Sequence, residues 1–252
     1  MYEKLVADVE FINGNYEAAA EMYHEGARDG DHLAAFNYGY CLWRGIGVER
    51  NAAEAKSYFS FARDIEGGAA CYNLAIQYLH GDGVAKDFER AIKFMDISAS
   101  QGCIEAQLYM GMAYTLGCVF EPDVIGISMI PYHKSEYRDY SAPLLSGYVP
   151  DEAEEDMRFA VIKADARRAF EWFRTAARHD PTYVSDLVAK GQYLYAKCYI
   201  DGLGTEFDRA KGVRIMLAAG KSGSQEAVAF LKENGVTPAM IAEVAHSRRN
   251  GE

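Results

Sequence analysis

Glycine-x-glycine turns recur in phase along this chain, and no other feature restricts its fold so tightly. The string Gly45-Ile46-Gly47-Val48 returns as Gly81-Asp82-Gly83-Val84, 36 residues on. A third copy opens at Gly117 after another 36 residues, and a fourth is Gly202-Leu203-Gly204. Each follows a helix-like stretch: AAFNYGYCLWR, ACYNLAIQYLH, AQLYMGMAYTL and GQYLYAKCYID. Self-similarity at a fixed period of this length marks a repeat architecture. Seven residues before the turn stand Tyr38, Leu74, Met110 and Tyr195, and six before it Gly39, Ala75, Gly111 and Ala196. A small residue at one fixed point lets the backbone of a partner helix approach closely, while the large neighbour fills the adjacent groove. The turn glycines supply positive φ for a tight reversal without a Cβ penalty.

The helix after each turn repeats too. Around Ala91 stand Asp87, Phe94, Ala99 and Gly102; the same spacing holds for Asp165, Ala169, Trp172 and Ala177. It also holds for Asn15, Ala19, Met22, Ala27 and Gly30, and for Asp208, Gly212 and Gly223. The Asp or Asn suits an N-cap, where its side chain accepts from a free backbone N–H. Apolar residues at spacings of three, four and seven or eight predict one buried face.

These residues resemble the Sel-one-like repeats, relatives of the tetratricopeptide repeat. The second full unit carries the likeness best, through Tyr72, Asn73, Leu74, Tyr78, Gly81, Gly83, Val84, Asp87, Ala91, Ala99 and Gly102. It departs at Ala75, where the family has Gly, and at Phe94, where the family favours Trp. The resemblance covers about residues 14–223 apart from one insertion. It implies an all-α fold, a right-handed α-solenoid of antiparallel helix-turn-helix repeats with one long inter-helix insertion. The expected organisation is a single repeat domain over 1–252. Its parts are an N-terminal unit 1–30, repeats 31–66 and 67–102, a repeat 103–180 carrying the insertion 118–159, a repeat 181–223, and capping helices within 224–252. Gln225 to Glu233 and Pro238 to Ser247 read as the closing helices. One helix pair cannot bury its apolar face alone, so stability comes from stacked neighbours and atypical end units.

The rhythm breaks after Gly117. Ile162-Lys163-Ala164-Asp165 resumes the phase of Val84-Ala85-Lys86-Asp87, so 42 residues sit inside a glycine turn. They differ in composition, with Pro122, Pro131, Pro143 and Pro150 beside Tyr132, Tyr137, Tyr140 and Tyr148. The acidic run from Asp151 to Asp156 suits the first turn of a helix. An insertion of this length is expected to be an ordered arm that binds a partner or a second copy, a flap that only packs on the repeats, or a loop.

The net charge of −11 disfavours nucleic acid, which needs a clustered basic surface; the dense basic pieces are only Arg167-Arg168 and Arg248-Arg249. The same charge would steer a basic partner. The opening Met1-Tyr2-Glu3-Lys4-Leu5 lacks a signal-peptide pattern, and no window reaches the ~18–20 apolar residues of a spanning helix. Five cysteines without a CxxC pair read as small buried hydrophobes in a reducing compartment. A cytoplasmic location is therefore expected. His24, His32, His80, His133, His179 and His246 show no metal-ligand spacing, and no Gly-Lys-Ser/Thr follows the turns, so neither metal nor cofactor is expected.

The functional expectation is thus a non-catalytic scaffold or adaptor that binds a protein or peptide. The resemblance implies that first helices of successive units line the concave surface. Residues one, five and eight before the glycine then point one way. The candidate partner-binding residues are Asn37, Tyr40, Arg44, Asn73, His80, Tyr109 and Met112, with Tyr132, His133, Tyr137 and Tyr140 of the insertion. An interior Asn is costly unless it bonds something. The alternatives are an immunity or inhibitor protein that neutralises a cognate toxin or enzyme, and an enzyme whose unrecognised site lies in the insertion.

Overall fold

The structure, a computed structural model, describes residues 2–64, 67–120 and 162–236. These residues form helices joined by turns, with no strand among them. The chain falls into two compact units, 1–106 with 118–162, and 107–117 with 163–252. In the first unit lie α1 (Tyr2–Ile12), α2 (Tyr16–Arg28), α3 (His32–Arg44), α4 (Ala52–Ala62), α5 (Gly67–His80) and α6 (Phe88–Ser100). The second holds most of α7 (Ile104–Leu116), then α8 (Ala166–Ala176), α9 (Pro181–Asp201), α10 (Arg209–Lys221) and α11 (Gln225–Glu233). Consecutive helices pair as antiparallel neighbours, α3 with α4, α5 with α6, and α9 with α10. The expected all-α repeat is the observed one.

Each turn is closed in one way. The backbone N–H of the second helix's N-cap donates to the carbonyl three residues before the first glycine. The bonds are Asn51 to Leu42 (2.8 Å), Asp87 to Tyr78 (3.0 Å), Asp165 to Tyr114 (2.9 Å) and Asp208 to Tyr199 (2.9 Å). The turn that carries the insertion therefore keeps this closing bond. The side chains of the same four residues cap their helices, as expected for Asp87, Asp165 and Asp208, and Asn51 joins them. Asn51, Asp87, Asp165 and Asp208 accept from the N–H groups of Glu54, Arg90, Arg168 and Lys211. Asn15 departs from the pattern. It precedes α2 but makes no cap bond, and its amide donates instead to Glu10 of α1.

The glycines do more than reverse the chain. Gly45, Gly47, Gly81, Gly83, Gly117, Gly202 and Gly204 all hold the positive φ expected of them. The second glycine of a turn also lies on the N-terminal turn of the preceding unit's second helix. A Cβ at Gly47 would stand 2.0 Å from the Tyr16 carbonyl oxygen, at Gly83 2.4 Å from the Ala52 carbonyl carbon, and at Gly204 1.9 Å from the Ala166 oxygen. This contact is a seam between repeats, and at these three turns only glycine fits it. The third turn has Val119 at that position.

The small residues of the first helices receive partner side chains rather than the close backbone approach expected of them: a Cβ at Gly111 would meet the Phe173 ring at 2.4 Å. The buried face of the second helices meets expectation four residues after the small one but not three after it. The fully buried large residue is the one four after the small residue, namely Tyr23, Phe59, Met95, Phe173 and Met216. Of the residues three after it, Met22 is exposed, and Phe94 and Trp172 are only partly covered. Phe94 instead stacks on Tyr78, with ring centroids 5.8 Å apart.

Candidate functional site

The first helices are apolar around most of their circumference. In α3 every residue over 34–43 is buried, and in α5 every residue over 70–79. A helix hydrophobic on all sides belongs to an interior. This placement sorts the candidate residues. Asn37, Tyr40, Asn73, Tyr109 and Met112 are buried, whereas Arg44 and His80, at the ends of α3 and α5, are exposed. Tyr132, His133, Tyr137 and Tyr140 lie outside the described residues, as do 238–247.

The two asparagines differ. Asn73 has an interaction partner, but Asn37, 1% exposed, finds none for either its nitrogen or its oxygen. Gln77, one helical turn after Asn73, donates to the Ala52 carbonyl at 2.8 Å, on the peptide that Gly83 crosses.

Two side-chain arrangements were not anticipated from sequence. The first joins consecutive turns. Asp82, the middle residue of the second turn, accepts from the Trp43 indole at 2.7 Å and from Arg50 at 2.6 and 2.7 Å. Trp43 is buried, so its N–H must find a partner, and the carboxylate of the next turn provides it.

The second arrangement is a tyrosine-cation latch within units. The tyrosine three before the first glycine meets the cation three after the N-cap. Arg90 lies over the Tyr78 ring at 5.6 Å, Arg168 over Tyr114 at 5.3 Å, and Lys211 over Tyr199 at 4.2 Å. Arg168 also donates to the Tyr114 hydroxyl at 2.7 Å. In the first turn both partners are replaced, by Leu42 and Glu54. Burial pushes the Tyr78 phenol up, but hydrogen bonds from Arg90 and Lys56 outweigh it and hold the group below its ordinary value. Tyr199 is lowered likewise, with Lys211 the leading opponent of burial. Its neighbour Tyr195, 3.2 Å away between hydroxyls, is pushed up to about 12, first by burial and then by that hydrogen bond.

The repeat geometry has a matching family. The Sel1 repeat profile matches residues 10–31, 32–64, 68–103, 159–181 and 189–224, which is more than half of the chain. The chain belongs to the Sel1 repeat family. Solved Sel1-repeat folds resemble it over most of its length. A Sel1 repeat protein from Oxalobacter formigenes superposes with a TM-score of 0.66 at 20% identity, covering 91% of this chain and 74% of that one. The protective antigen c5321 of uropathogenic Escherichia coli, which displays an SLR fold, gives 0.64 at 20% identity, covering 96% and 44%.

Among curated proteins, this Sel1-repeat chain is 26% identical over 242 residues to chitin synthase regulatory factor 3 of Schizosaccharomyces pombe, covering 91% of the chain and 24% of that protein. It is 32% identical over 85 residues to mouse protein sel-1 homolog 2, covering 33% and 12%. It is 43% identical over 60 residues to HRD3B, an ERAD-associated E3 ubiquitin-protein ligase component of Arabidopsis thaliana, covering 23% and 10%. The chain thus spans at most 24% of the length of these relatives.

Three of the five cysteines are buried as expected, whereas Cys103 and Cys118 are only partly covered. Cys41, Cys71 and Cys198 are buried in the helices, and burial pushes their thiols up to about 12, 11 and 12. Such groups stay protonated near neutrality, and a thiol is a weak nucleophile and metal ligand. Among the described residues, no group of three or more His, Cys, Asp or Glu side chains could hold a metal ion, and no helix is long and apolar enough to cross a membrane.

Proposed function

We propose that this chain is a non-catalytic scaffold that binds a protein or peptide along its first-helix ends, assisted by the Tyr-rich insertion. The observation that carries the reading is the Sel1 repeat itself, present in five segments. Repeats of this kind offer extended surface, and each unit contacts only its neighbours. The names of two relatives, a regulatory factor and a ligase component, are in keeping with work done through other proteins. Arg44 and His80 end successive first helices at equivalent positions and are exposed, so they are the accessible members of the face. The net charge of −11 favours a second reading, an inhibitor of one basic toxin or enzyme.

The test is capture of partners from cells of the chain's own organism. Intact protein should retain a specific protein that both Arg44→Glu with His80→Glu and deletion of 122–158 release. Recovery of a single cognate enzyme, inhibited on binding, would select the second reading. Turnover by the purified chain that His133→Ala or Tyr137→Phe abolishes would refute both.

A further inference from the structure

The latch that recurs in three units is altered in one of them. In the second and third units the cation also pairs with its own N-cap carboxylate, Arg90 with Asp87 at 3.2 Å and Arg168 with Asp165 at 3.7 Å. In the fourth, Asp208 caps the backbone N–H of Lys211, but no ion pair involving Lys211 is present among the described residues. The Tyr199 hydroxyl meanwhile faces another hydroxyl, that of Tyr195. Beside this altered latch opens a cavity of about 580 Å3, lined by Tyr199, Glu206, Phe207, Asp208, Arg209 and Lys211, with Thr205. Phe207 is 66% exposed, and it stands where the equivalent turns have Arg50 and Lys86. A cation without an ion pair, an aromatic ring left in solvent and a cavity lined by both coincide at one turn.

We propose that the fourth turn binds a protein segment carrying one acidic side chain flanked by apolar residues. The site rests on the scaffold reading only in requiring a protein ligand. Lys211 would meet the carboxylate and Phe207 the apolar flank. A charge-assisted bond of this kind is stronger than a neutral one. Tyr199, a readier donor than an ordinary phenol, would supply the second hydrogen bond. Glu206 and Asp208 line the same cavity together with two cations, Arg209 and Lys211, and favour a ligand with one negative charge over a run of acids. Long-range repulsion from the net charge is screened beyond ~8 Å at physiological ionic strength, so the local contact decides.

The test titrates the full chain with the peptide acetyl-Gly-Phe-Glu-Leu-Gly-amide and its Gln counterpart, using calorimetry and 15N spectra. The Glu peptide should bind at least tenfold more tightly and shift the Lys211 amide. Lys211→Gln should remove that margin, Phe207→Ser should weaken both peptides, and Arg90→Gln should leave the margin unchanged. Equal affinity for the two peptides, or a margin that survives Lys211→Gln, would overturn the site. Failure here with partner capture through Arg44 and His80 intact would remove this site alone. Peptide binding here without such capture would remove the scaffold reading alone.

Discussion

Asn37 keeps a primary amide in the interior with neither end bonded. An unmade buried hydrogen bond costs about 1–3 kcal/mol, and an apolar replacement of similar shape avoids that cost. Asn37→Leu should therefore raise the stability of the first unit by ~1 kcal/mol in denaturant titrations, while weakening partner capture if the amide serves binding. A loss of stability would show that the amide is satisfied in solution. Glu105 presents the same problem with a charge. Its carboxyl is buried, burial raises its pKa above the ordinary 4.5, and the Cys103 thiol donates to it at 3.2 Å. A carboxyl whose folded pKa is raised favours the fold below its unfolded pKa and loses that contribution as pH rises through the folded one. The stability gained by Glu105→Gln should consequently grow from pH 4.5 to neutrality. A difference that is flat with pH would contradict the burial of this group.

At the scale of the helix, caps decide where elements begin. Asp165 and Asp208 accept backbone N–H bonds and Asn15 does not. Asp165→Ala should cost ~1 kcal/mol, a usual value for a lost cap, and Asn15→Ala distinctly less. Hydrogen exchange in the first turns of α8 and α2 measures both. Turn glycines, small helix positions and N-caps were legible in sequence because each repeats at a fixed offset. The rotation of the second helices was not. Residues three and four after the small position are both apolar in α2, α6 and α8, and a helical wheel separates them by only ~100°. The tyrosine-cation latches stood in the sequence at constant register, yet nothing showed that position −3 of one helix meets the third residue of the next. The site suffered most from this. A helix apolar on every side offers no open face, so Asn37, Tyr40, Asn73, Tyr109 and Met112 went inside, and only the polar helix ends Arg44 and His80 stayed out.

For the whole chain, the main question is what the glycine turns join. The turn interrupted by the insertion still closes from Asp165 to Tyr114, and Gly117 still lies against Ala164 as Gly81 lies against Lys86. Deleting 122–158 should therefore leave helical content and cooperative unfolding in place, checked by circular dichroism. Loss of cooperativity would make the insertion part of the core. The seam itself is tested most directly by comparing Gly81→Ala with Gly83→Ala. Both glycines have similar positive φ, 71° and 75°, so both variants carry the same backbone strain. At Gly81 the nearest atoms to a Cβ would be those of Lys86, from 3.3 Å, whereas at Gly83 it would enter the Ala52–Ala53 peptide at 2.4 Å. If second glycines join one repeat to the next, Gly83→Ala should lose ~2 kcal/mol more than Gly81→Ala in the unfolding of the first unit. Equal losses would mean that the glycines serve the turn alone.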